Sequence, residues 1–406
     1  MSICSYPIKY YTHDIITINT PCYSWRLPMK SIYLGNASTT FPKASTVASA
    51  MSDYITNRGI NINRGSYALA YDVEDTIYTT RQRLHTLFNG HDPSHVIFTQ
   101  NVTMSLNMVI KGLLKAGDHV LISSMEHNAV MRPLTQLLNE GITFDTIPCD
   151  TTGSIKLDAI ESLIRPNTVA IIVNHASNVC GTIQPIKEIG KIAHEHNILF
   201  HTDAVQAVGH LSIDVNELNI DLLSASGHKF HAPKGIGFLY IRSGIKLTSL
   251  IHGGSQERNR RAGTENTFGI IAMANALKNS YESLEKDSLY VKSLRERLVS
   301  LILENIEGSH INGDMENRLF NNINIYFENI SGELLLILLN QNGVCASLGS
   351  ACTTGSIDPS HVIMAVSNDK KRASSSLRLT LSKYNTEDEV NKTFEILKLC
   401  VNKLRA

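Results

Sequence analysis

The sequence predicts an α/β protein, a mostly parallel sheet covered by helices on both faces and followed by a smaller α+β domain. Three observations carry this. Short apolar runs recur at residues 96–99, 119–123, 168–174, 198–202, 221–225 and 235–241; runs without polar alternation belong to strands buried on both faces. Amphipathic stretches of helical period separate several of them, the alternation that builds right-handed crossovers. After Gly263 the pattern changes to long helical stretches with isolated strands. At 406 residues the chain is long enough for two to three domains. The expected division is a large α/β domain over residues 46–267 and a small α+β domain over 268–406, with segment 1–45 packing on the small one.

In chain order, the helix after the first strand is marked by Leu106, Val109, Ile110, Leu113 and Leu114, one face of a 3.6-residue period, with Gly117 placed to end it. Ile186, Ile189 and Ile192 mark a second helical face before the strand at 198. Residues 268–304 read as one long helix on Ile270, Ala274, Leu277, Leu284, Leu294 and Leu298. Strands follow near 322–327 and 375–381, and a helical tail runs over 385–404. Between them, residues 343–360 are rich in Ser, Gly and Ala and read as a mobile loop, of a length that usually carries function.

Composition excludes several classes. Hydrophobic residues are 43% and charged residues 18% of the chain, which is globular. Lys+Arg and Asp+Glu are both 37, so no charge excess points to DNA or an anionic membrane. The longest aliphatic run, Leu334 to Leu339, is six residues, far short of the roughly 20 a spanning helix needs. The seven cysteines are odd in number and contain no Cys-x-x-Cys pair, which fits a reducing, cytoplasmic setting. The first 30 residues lack a secretory layout and read as an N-terminal extension. No metal site is expected: His194-Glu-His196 lacks the i, i+4 histidine spacing of a helical zinc site, and no cysteine pair has zinc-finger spacing.

The chemistry concentrates at strand ends. Lys229, in Ser226-Gly-His-Lys229, follows the strand at 221–225. A desolvated lysine there is a nucleophilic amine suited to Schiff-base chemistry; a lysine snorkelling to solvent is the plain alternative. Asp203, in His201-Thr-Asp203, ends the preceding strand. Ligands of parallel sheets bind outside the carboxyl ends of the strands, so the two residues face one crevice. A lysine for the aldehyde and a carboxylate for the pyridinium nitrogen is the pair that pyridoxal 5'-phosphate (PLP) requires. Taken singly, Asp203 also suits a helix N-cap. Asn101-Val102-Thr103 opens a helix after a strand, where free backbone N–H groups favour an anion such as a phosphate, or where Asn101 or Thr103 simply caps. Ser226 and His228 add donors. His127, in Met-Glu-His-Asn, and Asn178 end two further strands on the same edge; an imidazole there can stack on a ring and exchange protons, or be simply structural, as a lone histidine more often is. Cys352, among Ser, Ala, Thr and Gly, is a candidate reactive thiol or equally an incidental surface cysteine, whereas Cys400 in its apolar run is a core residue. Arg378 can hold a carboxylate bidentately or simply face solvent from its strand.

Together these segments resemble the cysteine desulfurases of the class V aminotransferase family, in particular the NifS/IscS-type branch. The likeness is carried by Tyr33-Leu-Gly-Asn-Ala-Ser-Thr-Thr40, Phe98-Thr-Gln-Asn-Val-Thr103, Asn174-His-Ala-Ser-Asn178 with Gly181-Thr-Ile-Gln-Pro185, His201-Thr-Asp-Ala-Val-Gln206, Ser226-Gly-His-Lys-Phe-His-Ala-Pro-Lys-Gly235, Arg261-Ala-Gly-Thr-Glu-Asn266 and Ser347-Leu-Gly-Ser-Ala-Cys352-Thr with Pro359-Ser-His361. It spans about residues 31–400. It implies a fold-type-I PLP-dependent transferase with a seven-stranded sheet, acting as a homodimer with composite sites. By position, Lys229 would bond the cofactor aldehyde, Asp203 would pair with the ring nitrogen, and Gln206 and Asn178 would reach the ring oxygen. His127 would stack on the ring. Val102, Thr103, Ser226 and His228 would hold the phosphate, with Thr264 reaching over from the other subunit. Arg378 and Asn36 would grip the carboxylate of L-cysteine. Cys352 would take its sulfur as a persulfide for an acceptor protein that supplies iron–sulfur clusters, other thio-cofactors or tRNA, leaving L-alanine. Gly35 and Met104 depart from the family pattern, which usually has Asp and often has Glu at those places. Alternatives are a selenocysteine lyase or another class V enzyme, and a catalytically degenerate PLP-binding scaffold for sulfur-transfer partners.

Overall fold

The computed structural model describes residues 31–62, 67–348 and 359–406. Helices α1 (Ser45–Asn57) and α2 (Ala68–Leu87) precede the large sheet. Its seven strands are β1 (Val96–Thr99), β2 (His119–Ser123), β3 (Thr143–Ile147), β4 (Thr168–Asn174), β5 (Leu199–Asp203), β6 (Leu222–Ser226) and β7 (Gly237–Ile241). Their spatial order is β1-β7-β6-β5-β4-β2-β3. All neighbours from β6 to β3 are parallel, and β7 runs antiparallel to both β6 and β1. The six strands expected from apolar runs are present, three with ends shifted by one or two residues. Strand β3 was not anticipated, because its sequence TFDTI buries only Ile147; an edge strand contacts one neighbour and carries a weak apolar signal. Chain order reverses between β2 and β4: β2 leads outward to β3, and β4 leads the other way to β5. That is the switch point where open α/β sheets form their crevice.

Side-chain alternation along the strands divides the core. Leu121, Ile171, Val173, Phe200, Leu223 and Phe238 face one side, where α1, α2, α6 (Ile186–Glu195) and α7 (Thr267–Glu282) cover them. Val120, Ile122, Ala170 and Ile172 face the other, against α3 (Val102–Leu113) and α4 (Asn128–Leu137). Helix α3 buries Leu106, Val109 and Ile110 as the periodicity requires. It stops at Leu113, before Gly117, whose φ of +93° instead shapes the turn into β2. A short helix, α5 (Leu157–Leu163), leads into β4.

The stretch expected as one helix over 268–304 is two, α7 and α8 (Leu284–Asn305). The break is at Ser283, whose hydroxyl donates to Asp287 Oδ2 (2.5 Å) and accepts from Lys383 Nζ (3.2 Å). Ile270, Met273, Ala276 and Leu277 of α7 belong to the core of the large sheet, whereas Val291, Leu294 and Leu298 of α8 belong to a second core. A helix that changes partner half-way cannot stay straight.

The second core packs on an antiparallel sheet of β8 (Ser309–Ile311), β9 (Asn322–Phe327), β10 (Ser347–Leu348) and β11 (Leu377–Thr380), ordered β10-β11-β9-β8. Helices α9 (Gly332–Gln341) and α12 (Glu387–Arg405) cover it, and α12 begins in a capping box of Thr386 and Glu389. Cys400 is buried there as expected. Two shorter helices, α10 (His361–Ser367) and α11 (Lys370–Ser375), lead into β11. Ile32 and Leu34 also join this core. The same segment then crosses to the large sheet, where Thr40 N donates to the His228 carbonyl (3.0 Å). Among the described residues no helix is long and apolar enough to cross a membrane.

The outer edge of β1 is closed by side chains. Phe98 N donates to Glu257 Oε2 (3.1 Å), Arg261 Nε donates to the Phe98 carbonyl (3.1 Å), and Arg81 donates to the Val96 carbonyl. Arg81 also pairs with both oxygens of Glu257 (2.8 and 3.1 Å). These contacts satisfy an edge that would otherwise offer a template for pairing. They also hold Glu257, Arg258 and Asn259, three successive residues with φ of 48°, 58° and 62°, a left-handed run that costs of order 1–2 kcal/mol per non-glycine residue. Glu257→Ala leaves Arg81 and Arg261, the latter 3.9 Å from Glu257 Oε1, without their buried partner and frees the strained turn. A destabilisation of about 3–5 kcal/mol is expected in denaturant unfolding, several times that of an exposed control such as Glu217→Ala.

Candidate active site

The carboxyl ends of β2, β4, β5 and β6 converge, and each delivers a polar side chain. Lys229 follows β6 on a single 3-10 turn, Gly227–Lys229. It is half-buried, and its Nζ donates to the carbonyls of Ala37 (2.6 Å) and Ser38 (2.9 Å). Gln206 Nε2 donates to the same Ala37 carbonyl (3.1 Å), so the 36–41 segment lies across the ends of β5 and β6. Asp203, the last residue of β5, is only 2% exposed. Burial pushes its carboxyl up to about 6, against the Val205 N–H it accepts (3.0 Å) and the Lys229 charge, which both lower it. The local turn contact expected of a capping aspartate is therefore present, and the same carboxylate faces the lysine.

Beside Lys229 the structure has polar groups with no protein partner. Ser226 Oγ and His228 Nδ1 are buried and make no hydrogen bond, an arrangement that costs free energy unless a ligand completes it. The surroundings are cationic. Burial, then Lys229, Lys43 and Lys234, lower the His228 imidazole to about 3, so it is neutral. Burial and Lys234 lower Lys43 to about 8. Helix α3 begins next to β1, with Asn101 Oδ1 capping Met104 N (3.0 Å), Val102 half-buried and Thr103 exposed. Asn101 is thus the cap, and Thr103 keeps an open face. Orphan polar groups among lysines suit a dianion.

His127 caps α4. Its Nδ1 accepts from Ala129 N (3.0 Å), which places the ring proton on Nε2. Burial, then Lys229, His361, Arg132 and Arg378, lower its pKa to about 4, so the ring is a neutral donor. Glu126, immediately before it, was missed by sequence reasoning. An acid in a turn after a strand reads as exposed, yet this one is fully buried, accepting from Ser123 Oγ and from Asn174 N (2.7 Å).

Arg378, on β11, is buried rather than solvent-facing, at 4% exposure. Its guanidinium donates to the Asn178 carbonyl (2.8 Å), Ser38 Oγ (2.7 Å) and Ser347 Oγ (3.0 Å). One cation thereby joins the segment after β4, the 36–41 segment and β10. Asn178 is half-buried. Asn36 is buried, its amide donating to the Thr380 carbonyl (2.8 Å) and accepting from Phe41 N (3.1 Å), which leaves one N–H for a ligand. Thr264 is exposed, on the stretch that leads into α7. Cys352 lies outside the described residues. The residues flanking it are held at this site: Ser347 pairs with Arg378, and His361 Nε2 donates to the Glu126 carbonyl (2.8 Å).

Residues 32–393 match the sequence family described as aminotransferase class-V. The chain belongs to that family. Its class V relatives include a cysteine desulfurase IscS of Methanosarcina thermophila, 42% identical over 384 residues that cover 93% of each chain. Another, also named cysteine desulfurase IscS, from Dictyoglomus turgidum, is 40% identical over 380 residues covering 93% of this chain and 96% of the other. Among solved structures, a NifS-like protein superposes with a TM-score of 0.85 at 30% identity, covering 92% of this chain and all of the other. A NifS-like protein from Rickettsia africae superposes with a TM-score of 0.83 at 25% identity, covering 92% and 99%. The mostly parallel seven-stranded sheet is the fold-type-I arrangement expected of a class V enzyme.

The buried histidines set a pH dependence. His127, His175, His201, His210, His228 and His231 all have lowered pKa values, at about 3 to 4, chiefly through burial. Between about pH 6.5 and those values the unfolded chain binds protons that the folded one refuses, so stability is complete above the window and falls as pH drops through it. Asp203 and Glu126, raised to about 6 and 8, act in the opposite sense but are outnumbered. Denaturant midpoints are expected to decrease steadily from pH 7 to pH 5, and His201→Asn is expected to flatten that slope.

Proposed function

We propose that this class V enzyme is a PLP-dependent cysteine desulfurase that moves sulfur from L-cysteine to Cys352 and releases L-alanine. The observation that carries this reading is one convergence. Lys229 and Asp203 lie beside the unpartnered Ser226 and His228 atoms, and the segments on either side of Cys352 are tied to Arg378 and to the carbonyl of Glu126. The orphan atoms fit PLP. Ser226 and His228, with Val102 and Thr103 at the start of α3, would hold its phosphate, and Lys229 its aldehyde. Asp203 would hold its ring nitrogen, Gln206 and Asn178 its ring oxygen, and His127 one ring face. The bound cofactor supplies an electron sink for a negative charge developing on the substrate.

The protein's own groups do the rest. Arg378 and Asn36 hold the substrate carboxylate, fixing Cα beside Lys229. Lys229 Nζ takes the Cα proton and carries it within the site. The burial of Asp203 keeps its charge concentrated where a cation is to be stabilised. Cys352, as a thiolate, attacks the substrate sulfur: the Cβ–S bond breaks, an S–S bond forms, and Cβ is protonated to give alanine. The sum is L-cysteine plus a protein thiol giving L-alanine plus a protein persulfide. A homodimer would bring Thr264 of one subunit to the phosphate of the other. The persulfide would pass to an acceptor protein in a reducing, cytoplasmic compartment. A two-domain division belongs to the same reading, with its boundary near Ser283 rather than residue 267, because α7 packs in the core of the large sheet.

The test compares the wild type with Cys352→Ala. Each is reconstituted with PLP, given L-cysteine and reductant, and assayed for alanine and sulfide. Turnover is expected only in the wild type, with the visible cofactor band in both. Full activity of Cys352→Ala would remove the thiol from the mechanism, and bound cofactor without turnover in either would favour the scaffold reading. Arg378→Lys loses the fork that meets a carboxylate; one charge-assisted hydrogen bond, about 1.5–3 kcal/mol, corresponds to a rise in KM for L-cysteine of about 10- to 100-fold, with cofactor affinity retained.

A further inference from the structure

Among the described residues, Glu126 is the one fully buried acid at this end of the sheet that the proposed reaction does not use. Its side chain reaches from the turn after β2 into the space between β2 and β4. Oε1 accepts from Ser123 Oγ and from Asn174 N (2.7 Å), while Oε2 is buried and has no partner. Asn174 is the register partner of Asp203 on the neighbouring strand, and His175 N donates to the Asp203 carbonyl (2.9 Å). The acid is therefore one strand away from Asp203. Its backbone carbonyl is held by His361 Nε2 (2.8 Å), and the next residue is His127.

We infer that Glu126 is a positioning residue that works as an uncharged carboxylic acid, locking the His127 turn to the end of β4 without placing a second negative charge beside Asp203. Three observations support it. The groups that act on Glu126 are Ser123, Asn174 and Asp203, none of them a cation, and an unpaired carboxylate is not stable out of water. A neutral carboxyl still accepts at Oε1 from Ser123 and Asn174. A proton on Oε2 turns the orphan acceptor into a donor, and Asn174 Oδ1, itself buried and unpartnered, is an acceptor on the residue it already contacts. The titration follows: burial pushes the Glu126 carboxyl up to about 8, Ser123 and Asn174 pull it down, and Asp203 pushes it up again. Burial is the largest cause for Glu126 and the Asp203 charge adds to it, while Lys229 favours the charged form of Asp203.

What Asp203 does with that charge rests on the proposed function; the protonation of Glu126 does not. The experiment uses the full chain as wild type, Glu126→Gln and Glu126→Ala. Infrared difference spectra of wild type minus Glu126→Gln, recorded at pH 7 before and after loading with PLP, are expected to show the C=O band of a protonated carboxyl. A carboxylate signature in its place would overturn the inference. Spectral titration with PLP is expected to give Glu126→Gln within about threefold of wild type, because glutamine keeps the shape and neutrality, and Glu126→Ala at least tenfold weaker. Equal weakness in both variants would mean that the charge is needed, and wild-type affinity in Glu126→Ala would mean that nothing is positioned; either overturns the proposal. If Glu126→Ala does not fold, by circular dichroism, the infrared result and Glu126→Gln still decide. If the wild type binds no PLP, the functional reading fails, while the infrared spectrum of the unloaded chain still decides the state of Glu126.

Discussion

Asp203 is a carboxylate withdrawn from water at the end of a parallel strand, and much of the site is arranged around that fact. Such a group is costly unless hydrogen bonds and an opposite charge support it. The Val205 N–H supplies one bond, and Lys229, one strand over, supplies the charge. The lysine is in turn held by the Ala37 and Ser38 carbonyls. Remove the parallel arrangement of β5 and β6 and this opposed pair has no common crevice.

The 32–41 segment carries the second layer of organisation. It begins in the core of the small sheet with Ile32 and Leu34, offers the Ala37 carbonyl to Gln206 and Lys229, and accepts from Arg378 at its Ser38 hydroxyl. One stretch of chain thus touches the group proposed for the cofactor and the group proposed for the substrate carboxylate. Arg378 performs a similar task from β11, joining three segments that are far apart in sequence. Both are physical links between the two sheets, and both place the residues flanking Cys352 at the same rim.

Much of this was legible in the sequence where the signal is local. The strand ends carrying Lys229, Asp203 and Asn178 follow from apolar runs bounded by polar residues, and the face of α3 follows from its period. Legibility failed where the deciding neighbour is distant in sequence. Strand β3 carries a weak apolar signal because it is an edge. The break at Ser283 depends on Lys383 and on the two cores that α7 and α8 serve separately. Arg378 admits either a solvent-facing or a buried reading until β9 and β10 are placed on either side of it.

By itself the sequence determined the α/β alternation, the strand-end positions of the lysine and aspartate, and the segments that tie the chain to class V enzymes, because these depend on period, length and residue type along one stretch. Only the tertiary structure decided which polar groups lose their water. Glu126 looks like an ordinary surface residue in a turn, and the fold buries it. Burial and the partners available in three dimensions set the charge state of a group. That is why the chemistry of this site resides in contacts between strands that no single stretch of sequence contains.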